Sequence, residues 1–145
     1  MNFPIRTYAG GVETRVERAV RGLCQSRKTA KGLDGARISL KGDIVDKLVQ
    51  SMIYAASHAA IGPIYNRIRG RGVPPDNARI ILADDIVRAC KEFGISSGLR
   101  FAPPESFAVD LYIAVAPTVW PTGRKTQLSP RKTFERMRRS RITRN

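Results

Sequence analysis

Only two cysteines, Cys24 and Cys90, occur in the 145 residues, with no CxxC spacing, and His58 is the single histidine. That is too few ligands for a disulfide scaffold or a Cys/His metal cluster. Both cysteines fall on apolar helical stripes and read as reduced, buried packing groups. No metal and no cofactor is expected. Acidic residues are also scarce: 12 Asp and Glu face 26 Lys and Arg, a net charge of +14. Such a balance favours a polyanionic partner, although ribosomal RNA, duplex DNA and an anionic membrane satisfy charge equally. No stretch approaches the roughly 18 consecutive apolar residues of a bilayer span. The opening MNFPIRTYAGG lacks the apolar core of a secretory signal. A soluble, non-secreted protein with no membrane partner is expected.

Catalytic signatures are missing as well. There is no P-loop, GxSxG, HExxH or glycine fingerprint after a strand. Asp84–Asp85 could be paired carboxylates, and His58 with Asp43 or Asp46 an acid–base set. Adjacent residues on a helix diverge, however, and His58 lies turns away from either aspartate. Helix capping explains Asp84–Asp85 more economically, so the chain is read as a non-enzyme.

What is present is helical patterning, with 42% hydrophobic content, enough for one small core. Val12, Val16, Ala19, Val20 and Leu23 predict a first helix over 12–23. A long second helix from Ser39 or Leu40 to about Ile61 follows from Ile44, Val45, Leu48, Val49, Met52, Ile53, Ala56, Ala59 and Ala60. Pro63 should kink or stop it. Arg79–Ile80–Ile81–Leu82 reads as a brief extended run. Asp84 or Asp85 would then cap a third helix buried through Ile86, Val87, Ala89, Cys90 and Phe93 and ended by Gly94.

The order of a short helix, a basic loop, a long helix, a basic residue with a short strand, and a short helix resembles the core-histone family over roughly Val12–Phe101. Ile81, Ala83, Asp85, Val87, Ala89, Lys91 and Gly94 match the type 4 histone pattern. Arg37–Ile38–Ser39 is similar to the first loop of type 4 and type 2B histones. The resemblance implies an all-α histone fold over 12–101, after an N-terminal arm over 1–11. It also implies that two such chains cross in a handshake, with Leu48, Met52, Ile53, Ala56, Ile86, Val87 and Phe93 at the interface. Arg37 and Arg79 would then sit in paired loops, entering minor grooves of bent DNA with Arg27, Lys28, Lys31 and Lys41 nearby.

By the same resemblance the chain would package duplex DNA in a heterodimer within an octamer-like particle, in a nucleus, viral factory or virion. Divergence from the usual eukaryotic histones suggests a large DNA virus as source. Two alternatives are a histone-fold transcription-factor subunit and a basic structural RNA- or DNA-binding protein of ribosomal or phage type.

Past the helical core the character changes. Phe107–Val115 could be a strand or a short helix, folded over the chain's own core or docked along a partner; residues 102–123 are taken as a docking extension. Pro117 and Pro121 flank Trp120 and suggest an extended course, with the indole buried against something. Residues 124–145 form a basic tail with Arg124, Lys125, Arg131, Lys132, Arg136, Arg138, Arg139, Arg141 and Arg144 against Glu135 alone. It cannot make its own core and should add salt-dependent affinity for phosphate. SPRK at Ser129–Lys132 resembles the Ser-Pro-basic-basic repeats of chromatin tails.

Overall fold

A computed structural model describes residues 4–68, 75–99, 106–120 and 130–144, with side chains over 11–61, 78–99, 106–120 and 130–139. Five helices and a two-stranded hairpin make up these residues: α1 (Pro4–Arg27), β1 (Thr29–Lys31), β2 (Arg37–Ser39), α2 (Asp43–Ile68), α3 (Pro75–Glu92), α4 (Phe107–Val119) and α5 (Pro130–Arg144). The protein is mainly α-helical, as its periodicity predicts.

α1 buries Val16, Val20 and Cys24 along one line of i,i+4 positions. It ends with Lys28 in the left-handed region (φ 70), whose N–H donates to the Cys24 carbonyl at 2.8 Å, the single-bond helix stop. The chain then turns into the hairpin, pairing Thr29 with Ser39, Ala30 with Ile38 and Lys31 with Arg37. Because Arg37–Ser39 is strand, α2 begins at Asp43 rather than Ser39 or Leu40. Asp43 and Asp46 fill its first turn, where negative charge suits the helix dipole.

α2 continues through Pro63 to Ile68. The expected stop at Pro63 is thus corrected: an internal proline forfeits one backbone bond, and the helix bears that loss. α3 also starts earlier than expected. Ala78, Leu82, Ala83 and Ile86 are buried at helical spacing, so the 3.6-residue stripe extends upstream and Arg79–Leu82 is helix, not strand. Asp84 and Asp85 are consequently mid-helix and cap nothing. The far end matches expectation. Gly94 (φ 74) donates to the Lys91 carbonyl at 3.1 Å and Ile95 to that of Cys90 at 2.8 Å, the paired bonds of a Schellman stop.

α4 is a helix, with the Ser106 hydroxyl accepting from the Val109 N–H at 3.1 Å. It buries Phe107, Ala108, Leu111, Tyr112 and Val115 against α1, α2 and α3. Pro117 lies inside it, so the extended course expected there is corrected up to Val119. α5 packs on α3 and α4 through Thr133, Phe134 and Met137, with Phe134 edge-on to Tyr112 at 5.7 Å between centroids. The supposed tail therefore contributes to the core, and the boundaries at 102 and 124 cut through one hydrophobic cluster. Cys24 and Cys90 are free and buried; burial pushes the Cys90 thiol up to about 12, leaving it inert near neutral pH.

Four residues of the expected partner interface meet the same correction. Leu48, Met52, Ala56 and Ile86 are fully or almost fully buried, and Ile53, Val87 and Phe93 pack against that core half-buried. The chain's own α1, α3 and α4 cover the α2 face that a handshake would need open.

Candidate nucleic-acid interface

Excess charge must sit where solvent can reach it, because an ion buried without a partner costs several kcal/mol, on the order of the stability of a domain. The hairpin meets this condition through its register. Ala30 and Ile38 turn inward, so Thr29, Lys31, Arg37 and Ser39 face outward. Lys31 and Arg37 stand directly opposite one another on the two strands. Two like charges across a strand pair repel, which favours an anion lying over both. Lys28 and Lys41, at the hairpin's two ends, are exposed as well.

α5 supplies the second basic surface. With Thr133, Phe134 and Met137 turned inward, Arg131, Lys132, Arg136, Arg138 and Arg139 lie on the exposed side with Glu135. A helix makes this segregation automatic: residues at three-to-four spacing share a face, and the charges between them take the opposite one. Arg141 belongs to α5, but its side chain lies outside the described residues, and Arg124 and Lys125 lie outside them altogether.

The two surfaces border one another. A cavity beside the hairpin turn is lined by Lys31, Asp34, Ser96, Ser97 and Leu99, and the next by Leu99, Arg131, Glu135 and Arg138. The Ser96 N–H donates to the Lys31 carbonyl at 2.8 Å and the Leu33 N–H to that of Gly94 at 2.9 Å. These bonds fix the hairpin to the segment that leads toward α5.

Two predicted contacts are corrected. Arg27 is tied down inside the fold, its guanidinium paired with Asp110 and lying 5.3 Å from the Phe107 ring centre. It holds α1 to α4. Arg79 is only 6% exposed, beneath the Trp120 ring at 5.3 Å, with Nε lacking a hydrogen-bond partner among the described residues. Trp120 is thus partly buried against a cation from the chain itself. Arg79 points into the molecule because α3 extends back past it, so no loop presents it to DNA.

A clear difference between the two loop arginines follows. Arg79→Met is expected to change stability by no more than about 1 kcal/mol, because a buried Nε without a hydrogen-bond partner among the described residues offsets the lost contact with Trp120, and to leave duplex affinity unchanged. Arg37→Ala is expected to weaken duplex binding about fivefold, the loss of one phosphate contact. Denaturation and duplex titration of both variants check this; weaker binding by Arg79→Met would contradict the placement.

Sequence reasoning also missed the partner of His58. His58 Nδ1 lies 2.7 Å from Asp85 Oδ2, with Tyr54 stacked beside it at 5.7 Å; neither Asp43 nor Asp46 is its partner. Only the packing of α2 on α3 brings these residues together. Asp84 instead pairs with Arg88 one turn on, at 2.9 Å. Among the described residues no group of three or more His, Cys, Asp or Glu could hold a metal ion, and no helix is long and apolar enough to cross a membrane.

No protein-family profile, curated protein or solved structure matches this chain. What it does must therefore be argued from its own charge and geometry.

Proposed function

We propose that the chain is a structural nucleic-acid-binding protein that neutralises and compacts duplex DNA through its phosphate backbone. The observation that carries this reading is that the exposed basic face of α5 and the hairpin adjoin at Leu99, which lines a cavity with each, on a chain with a net charge of +14. α5 alone carries seven Lys and Arg against one Glu. Such surfaces bind by releasing counterions and are indifferent to base sequence.

The order of elements in the histone resemblance, a helix, a basic loop and a long helix followed by another helix, supports membership of the DNA-packaging class and a histone-like fold at its centre. The handshake is not carried forward, since Leu48, Met52 and Ala56 of α2 are already buried within the chain's own core. The protein acts in this reading as a self-contained unit, nearer the basic structural alternative than an obligate half of a dimer.

The test is anisotropy titration against several unrelated duplexes of equal length. Affinities within about threefold of one another are expected. A preference above about 100-fold, roughly 2.7 kcal/mol, for one sequence would replace packaging with sequence recognition.

A further inference from the structure

A groove of about 560 Å³ opens where α1 ends, the hairpin begins and α2 starts. Its floor is apolar, made by Leu40 and Val45, both buried. Its rim is cationic and hydroxylic, carrying Lys28, Lys41, Thr29 and Ser39. Arg21 closes one side with its charge already engaged, bonded to Glu17 at 2.8 Å and Asp46 at 2.9 Å. Lys28 and Lys41 are different: both are exposed, and among the described residues neither ammonium meets a carboxylate.

The backbone at this rim is costly to maintain. Lys28 holds a left-handed φ of 70, a conformation that glycine adopts freely and a lysine does not. The same turn that stops α1 sets the Lys28 ammonium at the groove's edge. Small-molecule sites are typically about 300–1,000 Å³, mostly apolar with a few placed polar groups. This groove has both the size and that division.

We propose that the groove binds a single phosphorylated nucleotide, its phosphate between the Lys28 and Lys41 ammoniums beside the Ser39 and Thr29 hydroxyls, and its base on Leu40 and Val45. A bare phosphate would leave the apolar floor unused, and an apolar ligand would leave the two cations unpaired. The inference deepens the nucleic-acid reading by adding a site for an unstacked nucleotide to surfaces that grip duplex backbone, yet the two can fail separately.

The test uses the full chain with adenosine 5′-monophosphate, adenosine and inorganic phosphate, followed by calorimetry and by backbone amide shifts. The monophosphate is expected to bind at least about tenfold more tightly than either fragment and to shift amides over 24–29 and 39–45. Lys28→Gly and Lys41→Gln should each weaken it about tenfold, the loss of one charged contact. Lys28→Gly also relieves the backbone, so its melting temperature should hold or rise, which separates lost binding from lost folding.

A short single-stranded oligo-deoxyadenosine identifies the source. Displacement of the monophosphate by this strand assigns the groove to a nucleotide within a strand; failure to displace it assigns a free nucleotide. Equal affinity for monophosphate and phosphate, or indifference to both substitutions, would overturn the proposal. If groove variants change nothing while α5 substitutions weaken duplex binding, only the groove falls. If the groove variants act on the monophosphate and α5 substitutions leave duplex binding unchanged, the packaging reading falls and the groove stands.

Discussion

Phe107→Ala is expected to lower the free energy of unfolding by about 3–5 kcal/mol, a large share of the roughly 5–15 kcal/mol that holds a domain together. Phe107 is 1% exposed and the largest of the fully buried side chains. It begins α4, the helix that contacts α1, α2 and α3, and its ring lies under the Arg27 guanidinium that Asp110 holds in place. Truncation therefore empties the centre of the molecule and also removes the platform under an ion pair. Urea denaturation followed by circular dichroism reads the effect. The loss should be the same at all protein concentrations, because α4 is part of the chain's own core. A docking segment for a partner would behave otherwise: Phe107→Ala would then leave the isolated chain as stable as before.

Replacing Arg131, Lys132, Arg136, Arg138 and Arg139 together by glutamine is expected to reduce duplex affinity at near-physiological salt by on the order of 10³-fold. The magnitude of the slope of log affinity against log salt should fall by about 4, close to one unit per neutralised phosphate. These five side chains lie on the exposed side of α5, while Thr133, Phe134 and Met137 hold the helix in place. The fold should survive, since exposed ion pairs contribute little, about 0–1 kcal/mol each. Titrations at several salt concentrations, with a melting curve on the same sample, separate the two effects. Unchanged duplex affinity in a folded variant would move the interface away from α5.

The parts of the fold that were legible in the sequence are those set by local rules. The Val12–Val16–Val20 stripe gives α1, the Leu48–Met52–Ala56 stripe gives the middle of α2, and Gly94 ends α3 because a left-handed residue is needed there. What was not legible depends on neighbours. Ile80 and Ile81 have β-branched side chains and read as strand, but Ala78 and Leu82 bury against the core and draw the run into a helix. Phe107–Val115 has both strand formers and alanines; packing on α1 decides for helix. The C-terminal run looked too charged to build a core, and Phe134 with Met137 is enough to seat it.

The candidate interface divides along the same line. Arg37 was singled out by its likeness to a histone first loop and the C-terminal cations by their run of charge, and those with described side chains are exposed. Arg27 and Arg79 were misassigned because their partners, Asp110 and Trp120, lie far away in sequence and approach only through packing. Leu48, Met52, Ala56 and Ile86 were assigned to a dimer interface for a related reason. An apolar helix face reveals that it will be buried, but not whether the covering surface comes from another chain or from α4 of the same one.

The most direct test of the central claim is the affinity of the intact chain for a mixed-sequence duplex, measured across about 0.05–0.2 M salt. The account predicts a straight line of log affinity against log salt with a slope of about −5 or steeper, the mark of six or more phosphate contacts. A slope near zero, or no binding at the lowest salt, would contradict it, because a backbone interface built on α5 and the hairpin cannot be insensitive to counterions.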